Sequence, residues 1–296
     1  MTELPHSDLA PAIETYRRCQ LPTTNADGKP IIPMTDEQRW LFDTKGWICL
    51  PGLLGEDELP AIREHMARWL DDRDALPADK RWLMGGAAQV LLDHPAVVGV
   101  LNDVCAHASM ANEDMYGFRF DGSFATRRKK GHDNFSPHGG HGIFALNGNS
   151  HLYQMRPGQV HAGLTRVVWE LNEVAPGDGG TLLLTGSHKA AFKRPESTND
   201  RTSPLWETYS CPPGSVMIFT EALCHAGTMW SNPDRDRLAV FNCYNTIGAK
   251  WHPGGPPTEV IDTMPPKRQS LFRGVWTGAG EGKSVNRYYD HENQAV

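Results

Sequence analysis

The chain has 296 residues, 39% hydrophobic and 22% charged, so it can bury a sizeable core and is not a disordered polyelectrolyte. Its formal net charge of −6 argues against a general nucleic-acid or membrane-surface binder, and no apolar run reaches transmembrane length. Six cysteines (Cys19, Cys49, Cys105, Cys211, Cys224, Cys243) are scattered without a CxxC pair, and the first residues carry no signal pattern, so a soluble cytoplasmic protein is expected.

In chain order, residues 1–36 are rich in proline and polar side chains and read as an extended surface segment. From Thr35 the pattern is helical until Gly46 breaks it before a short strand, Trp47–Leu50. A helix is predicted over 57–71, where Leu59, Ile62, Met66, Trp69 and Leu70 share one face and Asp57 and Glu58 suit the first turn. A second helix is predicted over 95–105, with Pro95 near its start. Beyond residue 115 the texture becomes β-like, with strands expected over 116–120, 143–146, 165–171, 181–185, 215–220 and 237–244. Turn signals separate them, notably the Gly-rich run 176–180 and Pro212-Pro213-Gly214. Helices first and strands afterwards predict a mainly β fold, an antiparallel barrel or sandwich with N-terminal helices, in one domain spanning 1–296. The stretch 248–296, with its prolines, reads as loops folding back over the barrel.

Three histidines stand out: His138 in Ser136-Pro137-His138-Gly139-Gly140-His141-Gly142, His188 in Gly186-Ser187-His188, and His225 after the strand 215–220. Any one of them alone is more readily a hydrogen-bonded structural residue than a ligand. The order is more specific: a histidine in a glycine loop, a histidine after a later strand, and Arg237 at the start of the next strand.

These residues resemble the phytanoyl-CoA dioxygenase-like branch of iron(II)/2-oxoglutarate oxygenases. The likeness begins at Lys45-Gly46-Trp47-Ile48-Cys49-Leu50-Pro51-Gly52 and runs through Trp169-Glu170-Leu171, Gly179-Gly180-Thr181 and Gly186-Ser187-His188. It ends with Pro213-Gly214-Ser215, His225 and Arg237, and so covers roughly residues 40 to 245. The resemblance implies a double-stranded β-helix, a cupin-like jelly roll whose mouth holds iron(II) on two histidines and one carboxylate, with 2-oxoglutarate and O2 as cosubstrates. Carried onto this chain, His138 and His225 are the metal ligands. Arg237 grips the distal carboxylate of 2-oxoglutarate, as a planar guanidinium can. Trp169 and Thr228 are assigned to the same pocket, although Trp169 is equally readable as a core tryptophan on a strand.

The family's carboxylate lies two residues after the first histidine, and here that position is Gly140. Three explanations stand. An acid comes from elsewhere, with Asp133, Glu170 and Glu221 as candidates; Glu221 precedes His225 by a spacing that meets on a helix, whereas the local pattern is a strand end. Alternatively the chain is a metal-free binding module. In the third, which the resemblance favours, the gap is the function: in the halogenases of this class a small residue replaces the acid, chloride takes its place on iron, and the substrate radical recombines with chlorine. Glycine leaves room for that halide. The expected enzyme is therefore a halogenase, with a hydroxylase of a small or acyl substrate as the alternative.

Just upstream, Arg127-Arg128-Lys129-Lys130 is a dense cationic run in an acidic chain. It reads either as a solvated loop or as a phosphate site. With Phe135 and His141 nearby, an anionic substrate with a flat ring is the expectation. The resemblance to freestanding nucleotide halogenases of nucleoside-antibiotic pathways narrows this to a nucleotide such as 2′-deoxyadenosine monophosphate, with no membrane or polymeric nucleic-acid partner.

Overall fold

A computed structural model of the chain describes residues 21–139 and 151–276. Gly140, His141, Cys19 and the strand expected over 143–146 lie outside the described residues. Helix α1 (Asp36–Lys45) is bounded by its own side chains. Thr35 Oγ1 accepts the Gln38 N–H at 3.2 Å while Gln38 Oε1 accepts the Thr35 N–H at 2.9 Å. Asp36 and Glu37 in the first turn and Lys45 in the last complement the helix dipole. Gly46 ends the helix at φ 84° and turns the chain into strand β1 (Trp47–Leu50).

Helix α2 (Leu59–Asp72) buries Leu59, Ile62 and Met66, and starts two residues later than predicted, with Pro60 in its first turn. Helix α3 (Pro95–Val104) begins on proline, with His94 Nδ1 accepting the Ala96 N–H at 3.3 Å. It is buried on nearly every side, and the extended segment before α1 crosses it. Ile32 donates to Pro95 O, and a Cβ at Gly99 would fall 1.8 Å from Ile32 O, so only glycine allows the crossing.

The strands are β2 (Phe118–Arg128), β3 (Tyr153–Arg156), β4 (Gln159–Ala162), β5 (Thr165–Glu170), β6 (Thr181–Leu183), β7 (Ser215–Thr220), β8 (His225–Gly227) and β9 (Arg237–Thr246). The main sheet is antiparallel in the order β1-β7-β5-β9-β2. A smaller sheet pairs β6 with β8, and His138 joins it by exchanging backbone hydrogen bonds with His225. This is a double-stranded β-helix core, mainly β, with the helices on the outer face of the main sheet.

Alternation along β5 divides the interior. Val167 and Trp169 pack with Val216, Ile218 and Val240 into the cluster shared with the helices. Val168 packs with Met217, Phe219, Ala239 and Phe241 between the sheets, and Arg166 and Glu170 project to that same side.

Three features depart from the sequence reading. Strand β2, expected to stop at residue 120, continues to Arg128 because β9 pairs with it throughout, across a bulge between Phe120 and Gly122. The basic run therefore begins as strand. The hairpin β3–β4 and the short strand β8 give too few alternations to be read in sequence. The stretch after 248, expected as loops, contains α4 (Thr258–Ile261) and α5 (Pro266–Gln269). It seats Phe272 against Trp82 and Phe120 on the helical side.

Candidate active site

His138 and His225 face each other across the bridge that joins them, with ring centroids 4.2 Å apart. His138 Nδ1 lies 2.8 Å from Ser136 O and His225 Nδ1 lies 2.9 Å from Leu223 O. A carbonyl only accepts, so each Nδ1 carries the hydrogen and each Nε2 keeps its lone pair. Burial lowers the pKa of His225 to about 4, and the imidazole is neutral at pH 7. The loop is held close: at Gly139, φ 74°, a Cβ would fall 2.6 Å from Leu223 O. The first glycine of the pair is therefore required by packing.

Glu221 reaches the same place from the turn between β7 and β8, with Oε2 3.7 Å from His225 Nε2. This corrects the expectation that such a spacing meets only on a helix; the chain reverses after Thr220 and brings the two together. Arg166 Nε donates to the other oxygen of Glu221 at 2.6 Å. Burial alone would raise the Glu221 pKa, but the Arg166 guanidinium, joined at low pH by a protonated His225, outweighs it and holds the carboxyl at about 2. Among the described residues, no three His, Cys, Asp or Glu side chains are grouped so as to hold one ion.

Arg237 lies deeper in the barrel and is 1% exposed. Its Nη2 donates to Glu170 Oε1 (2.5 Å), Tyr209 Oη (3.1 Å) and Thr181 Oγ1 (3.2 Å), and its Nε bridges both Glu170 oxygens. Tyr209 Oη donates to Glu170 in turn, at 2.5 Å. The remaining nitrogen, Nη1, is buried with no hydrogen-bond partner among the described residues. A buried guanidinium nitrogen without an acceptor is costly unless a ligand supplies one. Two imidazoles that keep a lone pair on Nε2 and a guanidinium whose Nη1 has no partner among the described residues fit an iron(II) ion and the carboxylate of 2-oxoglutarate.

Several expected residues stand elsewhere. Trp169 does not line this pocket: it is fully buried on the helical side of β5, edge-on to His94, one position out of phase with Glu170. Thr228 follows β8 and gives its backbone N–H to Gly180 O, while the hydroxyl that meets Arg237 belongs to Thr181. Arg127 points away from the site to Asp71, at 2.7 Å, whereas Arg128 points inward. Lys129 is exposed, and Phe135 packs edge-on against Trp206. Of the other acids considered, Glu170 is held by Arg237 and Asp133 pairs with Arg201 near the surface. His188 is structural: it is buried, and its Nε2 donates to Asp43 O at 2.9 Å. Tyr209 and Asn134 escaped the sequence reading, because each sits in an irregular stretch where no periodicity marks it, and Thr181, which opens an expected strand, carries no local sign that its hydroxyl meets Arg237.

A jelly roll with two facing histidines and a buried arginine between its sheets belongs among the mononuclear iron/2-oxoglutarate oxygenases. The family model described as phytanoyl-CoA dioxygenase (PhyH) matches residues 42–237, and the chain belongs to that family. No curated protein sequence matches the chain. Among solved structures it is similar to iron-bound HygX from Streptomyces hygroscopicus, at 21% identity and a TM-score of 0.58, over 75% of this chain and 90% of that one. HygX has also been solved with nickel, 2-oxoglutarate and hygromycin B, a structure matched at 22% identity and a TM-score of 0.58 over 74% of this chain and 90% of that one. The 2-oxoglutarate-dependent carbocyclase SnoK from nogalamycin biosynthesis matches at 15% identity and a TM-score of 0.52, over 83% of this chain and 95% of that one. At these identities the likeness is one of fold.

Proposed function

We propose that this chain is an iron(II)/2-oxoglutarate-dependent halogenase that replaces a C–H hydrogen of a small anionic molecule with chlorine. The observation that carries the reading is Gly140, standing where the family has its metal-binding acid while His138, His225 and Arg237 are retained. When bound, iron(II), 2-oxoglutarate and O2 supply the oxidising power to remove a hydrogen atom, and chloride supplies the atom that replaces it.

The protein's own part follows from its side chains. His138 and His225 would hold the metal through Nε2, with their Nδ1–H groups fixed by the backbone. Arg237 receives the distal carboxylate on its free Nη1. Phe219, tilted against His225 with ring centroids 4.6 Å apart, and Phe241 give the space between the sheets an apolar wall beside its charged groups. Gly140 offers no side chain to fill the halide position. As substrate we propose a nucleotide such as 2′-deoxyadenosine monophosphate. Exposed Lys129 and Lys130, which form no ion pair among the described residues, rather than Arg127, are the cations of this run for its phosphate, at the end of the strand that leads to His138.

The second reading, hydroxylation, is favoured by Glu221, whose carboxylate is already 3.7 Å from His225 Nε2. Movement onto the metal would restore a two-histidine, one-carboxylate site. Anaerobic titration with iron(II) and 2-oxoglutarate separates the two readings. A halogenase shows a charge-transfer absorption that shifts with chloride, and yields chlorinated product by mass from deoxynucleotides. Hydroxylated product with no chloride dependence would establish the second reading. Gly140→Asp should abolish chlorination, and chlorination that survives it would sink the assignment of the halide position. Ligand binding that persists without any uptake of iron would instead mark a binding module.

A further inference from the structure

Arg237 does not stand alone at the inner end of the barrel. Its direct cross-strand partner in the β2–β9 register is Arg128, and the two are 1% and 6% exposed. Like charges placed opposite each other on one sheet face are unfavourable, and burial strengthens the repulsion. Glu170 neutralises Arg237 but makes no ion pair with Arg128. Arg128 instead has two neutral acceptors, Asn134 Oδ1 at 2.8 Å and Thr126 Oγ1 at 3.3 Å. Asn134 is itself seated against β8, where a Cβ at Gly227 would fall 2.0 Å from its Oδ1. Among the described residues, one carboxylate therefore stands against two buried guanidiniums, and the charge of Arg128 has no paired counter-ion there. Burial, followed by the charge of Arg237, lowers the Arg128 pKa to about 10, which still leaves it charged at neutral pH.

We infer that Arg128 is a second binding residue for the cosubstrate, closing with Arg237 on the distal carboxylate of 2-oxoglutarate. This rests on the reading of the site as a 2-oxoglutarate pocket. One carboxylate cancels the surplus charge and gives Arg237 Nη1 its missing acceptor. Arg128 has been moved by the fold from the expected substrate phosphate to the cosubstrate. The neutral hold of Asn134 and Thr126 keeps the guanidinium in position without quenching its charge, as a tight carboxylate partner would.

The test is 2-oxoglutarate binding to anaerobic iron(II)-loaded protein, measured by calorimetry for wild type, Arg128→Gln and Arg128→Lys. Loss of a buried charge that contacts the ligand should weaken binding about 30-fold or more in Arg128→Gln, with iron affinity unchanged. Arg128→Lys, which keeps the charge but not the planar fork, should fall between the two. The control ligand is 2-oxobutyrate, which has the 2-oxo acid end but no distal carboxylate; its binding should not respond to Arg128→Gln. An equal penalty on both ligands, or none on 2-oxoglutarate, would overturn the role given to Arg128. Wild-type protein that binds no 2-oxoglutarate would overturn this inference and the reading of the site together. The apo protein supplies an independent readout: removing one of two repelling cations should leave the melting temperature of Arg128→Gln unchanged or raise it, and a marked fall would mean that Arg128 serves the fold.

Discussion

At the scale of single residues, the site depends on how buried charges are shared. Tyr209 Oη donates to Glu170 Oε1 at 2.5 Å and accepts from Arg237 Nη2 at 3.1 Å, in a fully buried position. Burial, with the adjacent carboxylate, pushes the phenol pKa well above its usual value, so the hydroxyl stays neutral and remains a donor. Tyr209→Phe removes a donor and an acceptor from a charged pair and leaves Glu170 Oε1 with the arginine alone. The expected loss is about 2 kcal/mol in urea unfolding, together with a weaker hold on 2-oxoglutarate because Arg237 is less firmly aimed. Unaltered unfolding would mean that the hydroxyl does not belong to this network. Sequence alone could nominate Arg237, since an arginine opening a strand after a histidine is a recognisable order. It could not supply Tyr209, whose position in the irregular segment before β7 is set by tertiary packing rather than local pattern.

At the scale of elements, the first three helices and the strands β1, β5, β7 and β9 were legible because their signals are local. Thr35 and Gln38 cap α1, Gly46 stops it, and Ser215–Thr220 is an unbroken β run recovered with its expected bounds. What was not legible depends on phase and on reversal. Trp169 is one residue from Glu170, and only the sheet's pairing tells which of the two looks into the barrel. Glu221 meets His225 because a turn folds one onto the other, a relation invisible to any periodic reading. The joint between α1 and β1 gives a prediction at this scale. Gly46 has φ 84°, and a Cβ there would fall 2.6 Å from His188 Nδ1, so helix end, strand start and the His188 turn share one close contact. Gly46→Ala meets both backbone strain and a buried ring, and should cost about 2–4 kcal/mol in chemical unfolding. A loss under about 1 kcal/mol would show that the ring moves aside freely.

At the scale of the whole molecule, acid stability should be governed by buried neutral histidines before the carboxylates matter. Burial lowers His188 and His225 each from an ordinary 6.5 to about 4. The His188 ring donates through Nε2 to Asp43 O, and its Nδ1 has no partner among the described residues, so a proton added there would be buried without an acceptor. Between pH 6.5 and 4 the unfolded chain therefore binds protons that the folded chain refuses. Stability is complete above the unfolded value and is lost as pH falls through this window. For His188 the whole interval amounts to about 3 kcal/mol, a large share of the roughly 5–15 kcal/mol that holds an ordinary domain together. Glu221, held at about 2 against an ordinary 4.5, adds its loss only below pH 4.5, so the two effects act in succession. Thermal melting of the metal-free protein from pH 8 to 4.5 should be level at first and then fall from about pH 6.5. His188→Asn, which cannot take up a proton, should lower the plateau but flatten that fall. A midpoint that holds steady down to pH 4.5 in the parent protein would show that these imidazoles accept protons within the fold. Bound iron should steepen the descent, because the metal needs the same Nε2 lone pair of His225 that a proton would take.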